Sequence, residues 1–214
     1  MEHNPKELIL WFDSETTGDN PNIHGIHQMG FLVENFPMKN SDDNIISTLE
    51  VKADALTAGH PISEWDEKQP DGTIIKRNAL EISNVTPDQI RKYQDYSLAY
   101  QEVIAFFKKH IDPYDKTQKF ILAGYNVKFD KDMLEGMAKK NGDKFLFSYI
   151  DHRVIDILPL ARTIYALGKF PSKPKSFKLE HLCELFDINI NAHDAVEDIK
   201  ATRTLMFKLL KLNT

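Results

Sequence analysis

Carboxylate side chains follow two compact apolar segments of the chain. Asp13 and Glu15 come directly after Leu8–Phe12, and Asp130 comes shortly after Lys119–Ala123. Residues two apart in an extended segment point to the same side, so the carboxylates of Asp13 and Glu15 can converge on one cation. A solvated acidic turn would show the same pair, and an acid after a strand is often only the N-terminal cap of a helix. These acids become informative only when they are considered together.

A histidine and a further aspartate lie at the start of the last helical segment. His193 precedes this segment, and Asp198 lies within it five residues later. The spacing alone is not specific, because His110 and Asp115 are also five residues apart. That second pair flanks Pro113 in a predicted loop and has no helix that would present its aspartate. His193 and Asp198 are therefore the stronger pair.

Thr16, Thr17 and Gly18 follow Glu15 directly. Their side chains are small, and glycine makes the backbone flexible at this point. A phosphate or a sugar could therefore approach the backbone beside the acidic pair.

Apolar periodicity predicts the elements that position these residues. Strands are predicted at residues 8–12, 29–33, 45–51 and 119–123. Helices are predicted from Ser97 to before Pro113 and at about 129–140, 153–167, 179–186 and 194–212. Residues 53–96 are polar and irregular, which predicts mainly loops with short elements. Strands followed by a strand and helices predict an α/β sandwich with a mixed sheet.

Length and composition limit the class of protein. The chain has 214 residues, of which 42% are hydrophobic and 28% charged, and we expect a single domain over residues 1–214. The net charge of −5 argues against a protein that coats nucleic acid, although bound cations can invert the local charge of an acidic site.

The same sequence predicts a cytoplasmic protein without a membrane anchor. The longest apolar run has five residues, at 8–12, and residues 1–7 lack the basic and apolar regions of a signal peptide. The single cysteine, Cys183, excludes an internal disulfide and fits a reducing compartment. Its place on an apolar helix face predicts a core residue rather than a catalytic one.

Three segments containing the acids and the histidine occur in a fixed order. They are Phe12–Gly18, Gly124–Asp130 and residues 192–198. Together they resemble the motifs of the DEDDh superfamily of 3′-to-5′ exonucleases. Residues 154–162 are also similar to a segment in relatives of the proofreading epsilon subunit of bacterial DNA polymerase III. The resemblance extends over nearly the whole chain.

This resemblance implies a ribonuclease H-like α/β fold, with a mixed β-sheet flanked by helices. It also implies hydrolysis of phosphodiester bonds at the 3′ end of single-stranded nucleic acid, with DNA favoured over RNA and nucleoside 5′-monophosphates as products. Two features depart from the family pattern. Tyr125 stands where many relatives have histidine, and residues 53–78 look longer than the matching loop of compact members. Neither departure involves the four acids.

The resemblance assigns two divalent ions, Mg²⁺ or Mn²⁺, to the four carboxylates. Asp13, Glu15 and Asp198 would bind one ion. Asp13 would also bridge to the second ion, which Asp130 would support largely through water. Hard cations of this kind prefer oxygen ligands.

The resemblance also implies a general base and a substrate surface. His193 would be the base, because an imidazole near its ordinary pKa accepts a proton at neutral pH. The substrate-contacting residues would be Thr16, Thr17, Gly18 and Asn126. Lys173 and Lys175 lie in a proline-interrupted segment that we expect to be an exposed loop tracking the nucleic-acid strand, although a merely solvated loop would have the same composition.

Two other functions compete with this interpretation. One is a catalytically silent nucleic-acid-binding module on the same fold, which loss of any of the four acids would have favoured. The other is a small-molecule phosphodiesterase, which would be active on a chromogenic ester but not on oligonucleotides. The expected partners are single-stranded DNA or RNA 3′ ends and, in a proofreading role, a DNA polymerase.

Overall fold

A six-stranded sheet forms the centre of the protein, for which the computed structural model describes residues 7–57, 61–69, 71–190 and 193–212. Ala192, which belongs to the third motif, and residues 1–6, which were compared with a signal peptide, lie outside these ranges. The strands are β1 (Glu7–Thr16), β2 (Ile26–Asn35), β3 (Ile45–Asp54), β4 (Glu64–Lys68), β5 (Ile74–Asn78), β6 (Gln94–Asp95), β7 (Lys119–Gly124) and β8 (Ile150–Asp156). The sheet order is β6-β3-β2-β1-β7-β8, while β4 and β5 form a separate hairpin.

Both strand orientations occur in the sheet. β1, β2 and β3 form an antiparallel meander, whereas β7 and β8 continue parallel to β1 and β6 pairs parallel to β3. The helices are α1 (Pro87–Ile90), α2 (Tyr96–Lys108), α3 (Val127–Lys140), α4 (Ile157–Ala166), α5 (Leu179–Leu185) and α6 (Ala195–Lys211). In the described ranges, none of them is long and apolar enough to cross a membrane.

Two helical layers cover the sheet, and the side-chain alternation of β1 shows which residues face each layer. Leu10 and Phe12 pack in the core that contains the buried faces of α2 and α3. Ile9 and Trp11 pack in the opposite core, with α4, α5 and α6. The predicted α/β fold with a mixed sheet between helices is confirmed.

One predicted helix begins too early. The sequence predicts a helix over 153–167, but residues 153–156 belong to β8, and α4 begins at Ile157. Val154 and Ile155 pair with β7, and the Asp156 side chain then accepts the Leu158 N–H as the N-terminal cap of α4. The strand pairing outweighs the local helical pattern, because it supplies backbone partners in a sheet that the sequence alone does not display.

The polar segment 53–96 contains short elements, as predicted, including the hairpin formed by β4 and β5. The hairpin is attached to the segment that follows Glu15. The Ser63 N–H donates to the Thr17 carbonyl oxygen (2.7 Å), and the Ala79 N–H donates to the Ser63 carbonyl oxygen (2.9 Å). Both ends of the hairpin are thus held beside the first motif.

A buried ion pair joins α6 to β2. The Arg203 Nε and Nη2 groups donate to the two carboxylate oxygens of Glu34, each at 3.0 Å. Glu34 is fully buried and also accepts from Trp11 Nε1 (2.8 Å) and Asn44 Nδ2 (2.9 Å). Burial raises the pKa of Glu34, but the bonds from Arg203, Asn44 and Trp11 outweigh it and leave that pKa below its ordinary value.

Candidate active site

The carboxylates of β1 and α6 meet at the end of the central strand. Asp13 and Glu15 follow the alternation of Ile9 and Trp11 and therefore face α6, whose first turn carries Asp198. Ligand atoms of Glu15, His193 and Asp198 all lie within 4.8 Å of one another. Asp13 lies two residues before Glu15 on the same side of β1, opposite Gly30 of β2, and so belongs to the same group.

Asp130 approaches the same strand from the other helical layer. It lies in the first turn of α3, and its Oδ1 accepts hydrogen bonds from the Ser14 N–H (3.0 Å) and the Ser14 Oγ–H (2.7 Å). Asp130 therefore does not act as a cap of α3, whose N-cap residue is Asn126. Ser14, the residue between Asp13 and Glu15, thus links the second motif, which contains Asp130, to the first.

Burial and mutual repulsion disfavour the ionised forms of these acids. Burial raises the pKa of Glu15 to about 7, and the charges of Asp198, Asp130 and Asp194 add to the effect. Burial also raises the pKa of Asp130 to about 7 and that of Asp198 to about 6, against the bonds from Ser14 and His193 that lower them. The pKa of Asp13 is well above its ordinary value for the same reasons. Such a cluster favours a bound cation.

The residues present fit a divalent metal. Within the described part of the chain, Asp198 Oδ1 is buried without a hydrogen-bond partner, while Oδ2 accepts the His193 N–H at 3.2 Å. An unpaired buried acceptor is unfavourable, and a cation would satisfy it. Four carboxylates supply the oxygen ligands that Mg²⁺ and Mn²⁺ prefer.

Asp194 positions the turn that carries His193, and sequence analysis missed this role. Its Oδ1 accepts the Val196 and Glu197 N–H groups at 3.2 and 3.1 Å, which caps α6. His193 itself has a φ of 71°, in the left-handed region that disfavours side chains with a Cβ. An aspartate at the predicted start of a helix was the available signal for the cap.

A glycine on β2 allows α6 to approach the acids. Gly30 pairs with Asp13 in the sheet register. A Cβ atom at Gly30 would lie 2.8 Å from the Ala195 carbonyl carbon and 2.9 Å from the Val196 nitrogen. The backbone of α6 therefore rests directly on β2 at the level of Asp13.

Gly30→Ala is expected to displace the start of α6, since the contacting atoms are backbone and cannot rotate away. We expect a loss of about 1–3 kcal/mol in stability together with reduced catalytic rate. Thermal melts and turnover measurements test this. Gly142→Ala is the matched control: it also strains the backbone, at φ +71°, but no other atom lies within 4 Å of its Cβ position. A comparable loss of rate in the control would contradict a specific role for Gly30.

A cleft of about 370 Å³ opens beside the acids. Ser14, Glu15, Thr16 and Gly18 contribute its polar wall. Trp65 from β4, Ile82 and Phe129 also line the cleft. The cleft therefore combines the Glu15 carboxylate with apolar side chains.

Two of the predicted substrate-contacting residues do not line this cleft. Thr17 is fully buried, its hydroxyl accepts the Gly25 N–H at 3.0 Å, and its backbone groups are bonded to Gly25 and Ser63. Asn126 is exposed in a left-handed conformation, and its N–H donates to Asp156 Oδ1 at 2.9 Å.

The segment that contains Lys173 and Lys175, residues 169–178, is a loop outside the regular helices. Both lysines are exposed, and Lys175 forms an ion pair with Glu184 (2.8 Å). The Tyr125 hydroxyl donates to the Phe177 carbonyl oxygen at 2.6 Å. The tyrosine that departs from the family pattern thus ties this loop to the second motif.

Known proteins share this sequence pattern and this fold. The RNase_T family model, described as Exonuclease, matches residues 10–206. The DNA polymerase III PolC-type protein of Caldanaerobacter subterraneus subsp. tengcongensis is 33% identical over 92 residues, 42% of this chain and 6% of that protein. The PolC-type protein of Lactococcus lactis subsp. lactis is 26% identical over 164 residues, 76% of this chain and 9% of that protein.

Solved structures of exonuclease I have the same fold. One is 24% identical with a TM-score of 0.70, covering 96% of this chain and 41% of that chain. The zinc-bound complex of the E. coli enzyme with single-stranded DNA is 24% identical with a TM-score of 0.71, covering 98% and 41%. This chain spans less than half of those structures and less than a tenth of the PolC-type proteins. Because the family model matches from β1 to α6 and includes all four acids and His193, this chain belongs to the RNase_T exonuclease family.

Proposed function

We propose that this chain is a metal-dependent 3′-to-5′ exonuclease that releases nucleoside 5′-monophosphates from single-stranded nucleic acid, with DNA favoured over RNA. The observation that carries the proposal is the convergence of Glu15, His193 and Asp198 within 4.8 Å. Asp13 and Asp130 flank this group, and Glu15, one of its members, also lines the cleft. All four acids are present, which disfavours a catalytically silent module.

The proposed mechanism divides the work among the chain's own residues. Asp13, Glu15, Asp130 and Asp198 would hold two Mg²⁺ or Mn²⁺ ions. When bound, such ions lower the pKa of water and offset charge on the transferring phosphate. His193 would accept the proton of the attacking water. Its backbone bond to Asp198 keeps the base beside the acids, and Ser14 fixes the orientation of Asp130.

The cleft suits an unpaired terminal nucleotide. Trp65, Ile82 and Phe129 offer an apolar surface for a base, and aromatic stacking on a base does not depend strongly on its identity. Thr16 and Gly18 line the cleft close to Glu15 in the chain, where a terminal sugar would lie. The E. coli exonuclease I complex, by its name, contains single-stranded DNA, which supports the same substrate class for this chain. Lys173 would contact the strand further from the scissile bond.

The remaining expectations also belong to this proposal. The PolC-type relatives are DNA polymerases by name, which supports association with a polymerase. Cytoplasmic localisation and a single domain over residues 1–214 stay predictions.

Digestion of 5′-labelled single-stranded DNA and RNA of equal sequence, with Mg²⁺ or Mn²⁺, tests the function. We expect a ladder that shortens from the 3′ end and strong inhibition by a 3′-phosphate. Equal rates on blocked and free ends would indicate endonucleolytic cleavage. Hydrolysis of a chromogenic ester without oligonucleotide digestion would indicate a small-molecule phosphodiesterase, and binding without hydrolysis would indicate a silent module.

His193→Ala is expected to lower the single-turnover rate by roughly 10²–10⁴, the usual contribution of general acid–base catalysis. His110→Ala is the control, because its Nε2 atom lies 2.8 Å from Ser47 Oγ and its ring packs against Phe106, away from the acids. An unchanged rate in His193→Ala, measured under conditions in which chemistry limits turnover, would remove His193 as the base.

A further inference from the structure

A buried glutamine connects the sheet to the turn that carries His193. Gln28 lies on β2, pairs with Glu15 in the sheet register and is 5% exposed. Its Nε2 group donates to Glu50 Oε1 (3.1 Å) and to Asp194 Oδ2 (3.3 Å). The neutral amide of Gln28 therefore lies between the carboxylates of Glu50 and Asp194, and Gln28 lies beside Glu15 in the sheet.

The two oxygens of Asp194 have separate partners. Oδ1 caps the first turn of α6 through the Val196 and Glu197 N–H groups, whereas Oδ2 faces Gln28. Asp194 thus anchors its turn at two points, one within α6 and one on β2. Loss of the second anchor would leave the cap of the helix intact.

His193 depends on this anchoring more than an ordinary loop residue does. Its φ of 71° is unfavourable for a side chain with a Cβ, so the surrounding contacts must hold it there. The adjacent residue, Asp194, supplies the contact to the sheet, and Asp198 accepts the His193 N–H.

We propose that Gln28 is a positioning residue for the general base: through Asp194, its side-chain amide holds His193 beside Glu15 and Asp198. This inference rests on the proposed role of His193. The amide is chemically required, because a carboxylate at position 28 would have no hydrogen to donate and would repel both Glu50 and Asp194.

Gln28→Glu tests the amide at almost constant shape. Glu50→Gln serves as the background for every variant, because it removes one repelling carboxylate and keeps the bond between Gln28 and Asp194. This background is expected to stay within about twofold of wild type. Within it, Gln28→Glu should lower the single-turnover rate by about 10–100-fold, because small displacements of a catalytic group have effects of this size. KM should change little.

A reciprocal exchange gives the rescue experiment. Asp194→Asn alone retains the cap oxygen but turns an amide donor toward the Gln28 amide, so it should also lower the rate. In the double variant Gln28→Glu with Asp194→Asn, the side chain at position 194 donates and the side chain at position 28 accepts. The hydrogen bond between the two positions is thereby restored. The double variant should recover most of the lost rate. Failure of this recovery, with both single variants impaired, would contradict a role through this hydrogen bond.

Two further measurements separate this inference from the proposed function. In the His193→Ala protein, Gln28→Glu should cause no additional loss of rate; an equal loss in both proteins would show that Gln28 acts elsewhere. If His193→Ala itself has no effect, the base assignment fails instead. Hydrogen exchange of the metal-free protein should show faster exchange over residues 193–198 in Gln28→Glu, with the rest of the chain unchanged. Unchanged exchange together with an unchanged rate would overturn the inference.

Discussion

Asp13→Asn is expected to lower the nuclease rate by several orders of magnitude and, in the metal-free protein at pH 8, to raise the melting temperature. Asp13 has a pKa well above its ordinary value because it is buried and faces the charges of Asp130, Asp198 and Glu15. Asparagine keeps the shape of the side chain but removes one negative charge from this cluster. A metal ligand contributes several kcal/mol to transition-state stabilisation, so the rate should fall on the order of 10³-fold or more.

The gain in stability has a defined pH dependence. Acids with raised pKa values make the folded protein bind more protons than the unfolded chain between about pH 4 and pH 7, so stability falls as the pH rises through this window. Near pH 5, Glu15 and Asp130, whose pKa values are raised to about 7, are largely protonated, so removal of a charge at position 13 relieves less repulsion. At pH 8, relief of about 1 kcal/mol would raise the melting temperature by about 2–4 °C.

Thermal melts of both proteins at pH 5 and pH 8, with EDTA or with Mg²⁺, test this prediction. Mg²⁺ should stabilise the wild type more than Asp13→Asn at pH 8. Asp88→Asn is a suitable control, because its carboxylate pairs with Arg91 on the surface. A lower melting temperature for Asp13→Asn at pH 8, or wild-type turnover, would contradict the assignment of Asp13 as a ligand in an electrostatically strained site.

Glu34→Ala is expected to destabilise the protein by about 3–5 kcal/mol, because it leaves the Arg203 guanidinium buried without its carboxylate partner. The melting temperature should fall by about 6–20 °C. Arg203 lies on α6, five residues beyond Asp198, so activity should be lost at lower temperature as well.

The stability contributed by the Glu34–Arg203 ion pair depends on pH in the opposite direction to that of the acids in the candidate site. Glu34 has a lowered pKa, so its contribution is present above its unfolded pKa and is lost as the pH falls through its folded value. Calorimetry of Glu34→Ala and of the double variant Glu34→Met with Arg203→Met tests the origin of the loss. The double variant should be more stable than Glu34→Ala, since it leaves no unpaired charge. If it is the less stable of the two, the cost does not come from the unpaired guanidinium.

Local sequence pattern predicted those parts of the fold and site that depend on neighbours in the chain. The apolar runs gave β1 and β7, and the alternation of an extended segment correctly placed Asp13 and Glu15 on one side. The boundary between β8 and α4 was wrong, because residues 153–156 are held by pairing with another strand.

The contacts that complete the candidate site join distant parts of the chain. Ser14 and Asp130 are 116 residues apart, and Gln28 and Asp194 are 166 apart. A serine between two acids and a glutamine in an apolar strand carry no local signal for such partners. Their roles follow only from the sheet register and from the approach of α6 to Gly30.

The side-chain alternation of β1 makes the geometry of the candidate site depend on both helical layers of the fold. Asp13 and Glu15 point to the layer that contains α6, while Ser14 points to the layer that contains α3 and holds Asp130. Three consecutive residues thus depend on both layers at once. Loosening of the α6 layer or of the α3 layer should therefore displace these acids relative to one another, even when the acids themselves are unchanged. Thermal inactivation should accordingly coincide with cooperative unfolding instead of preceding it as a local event.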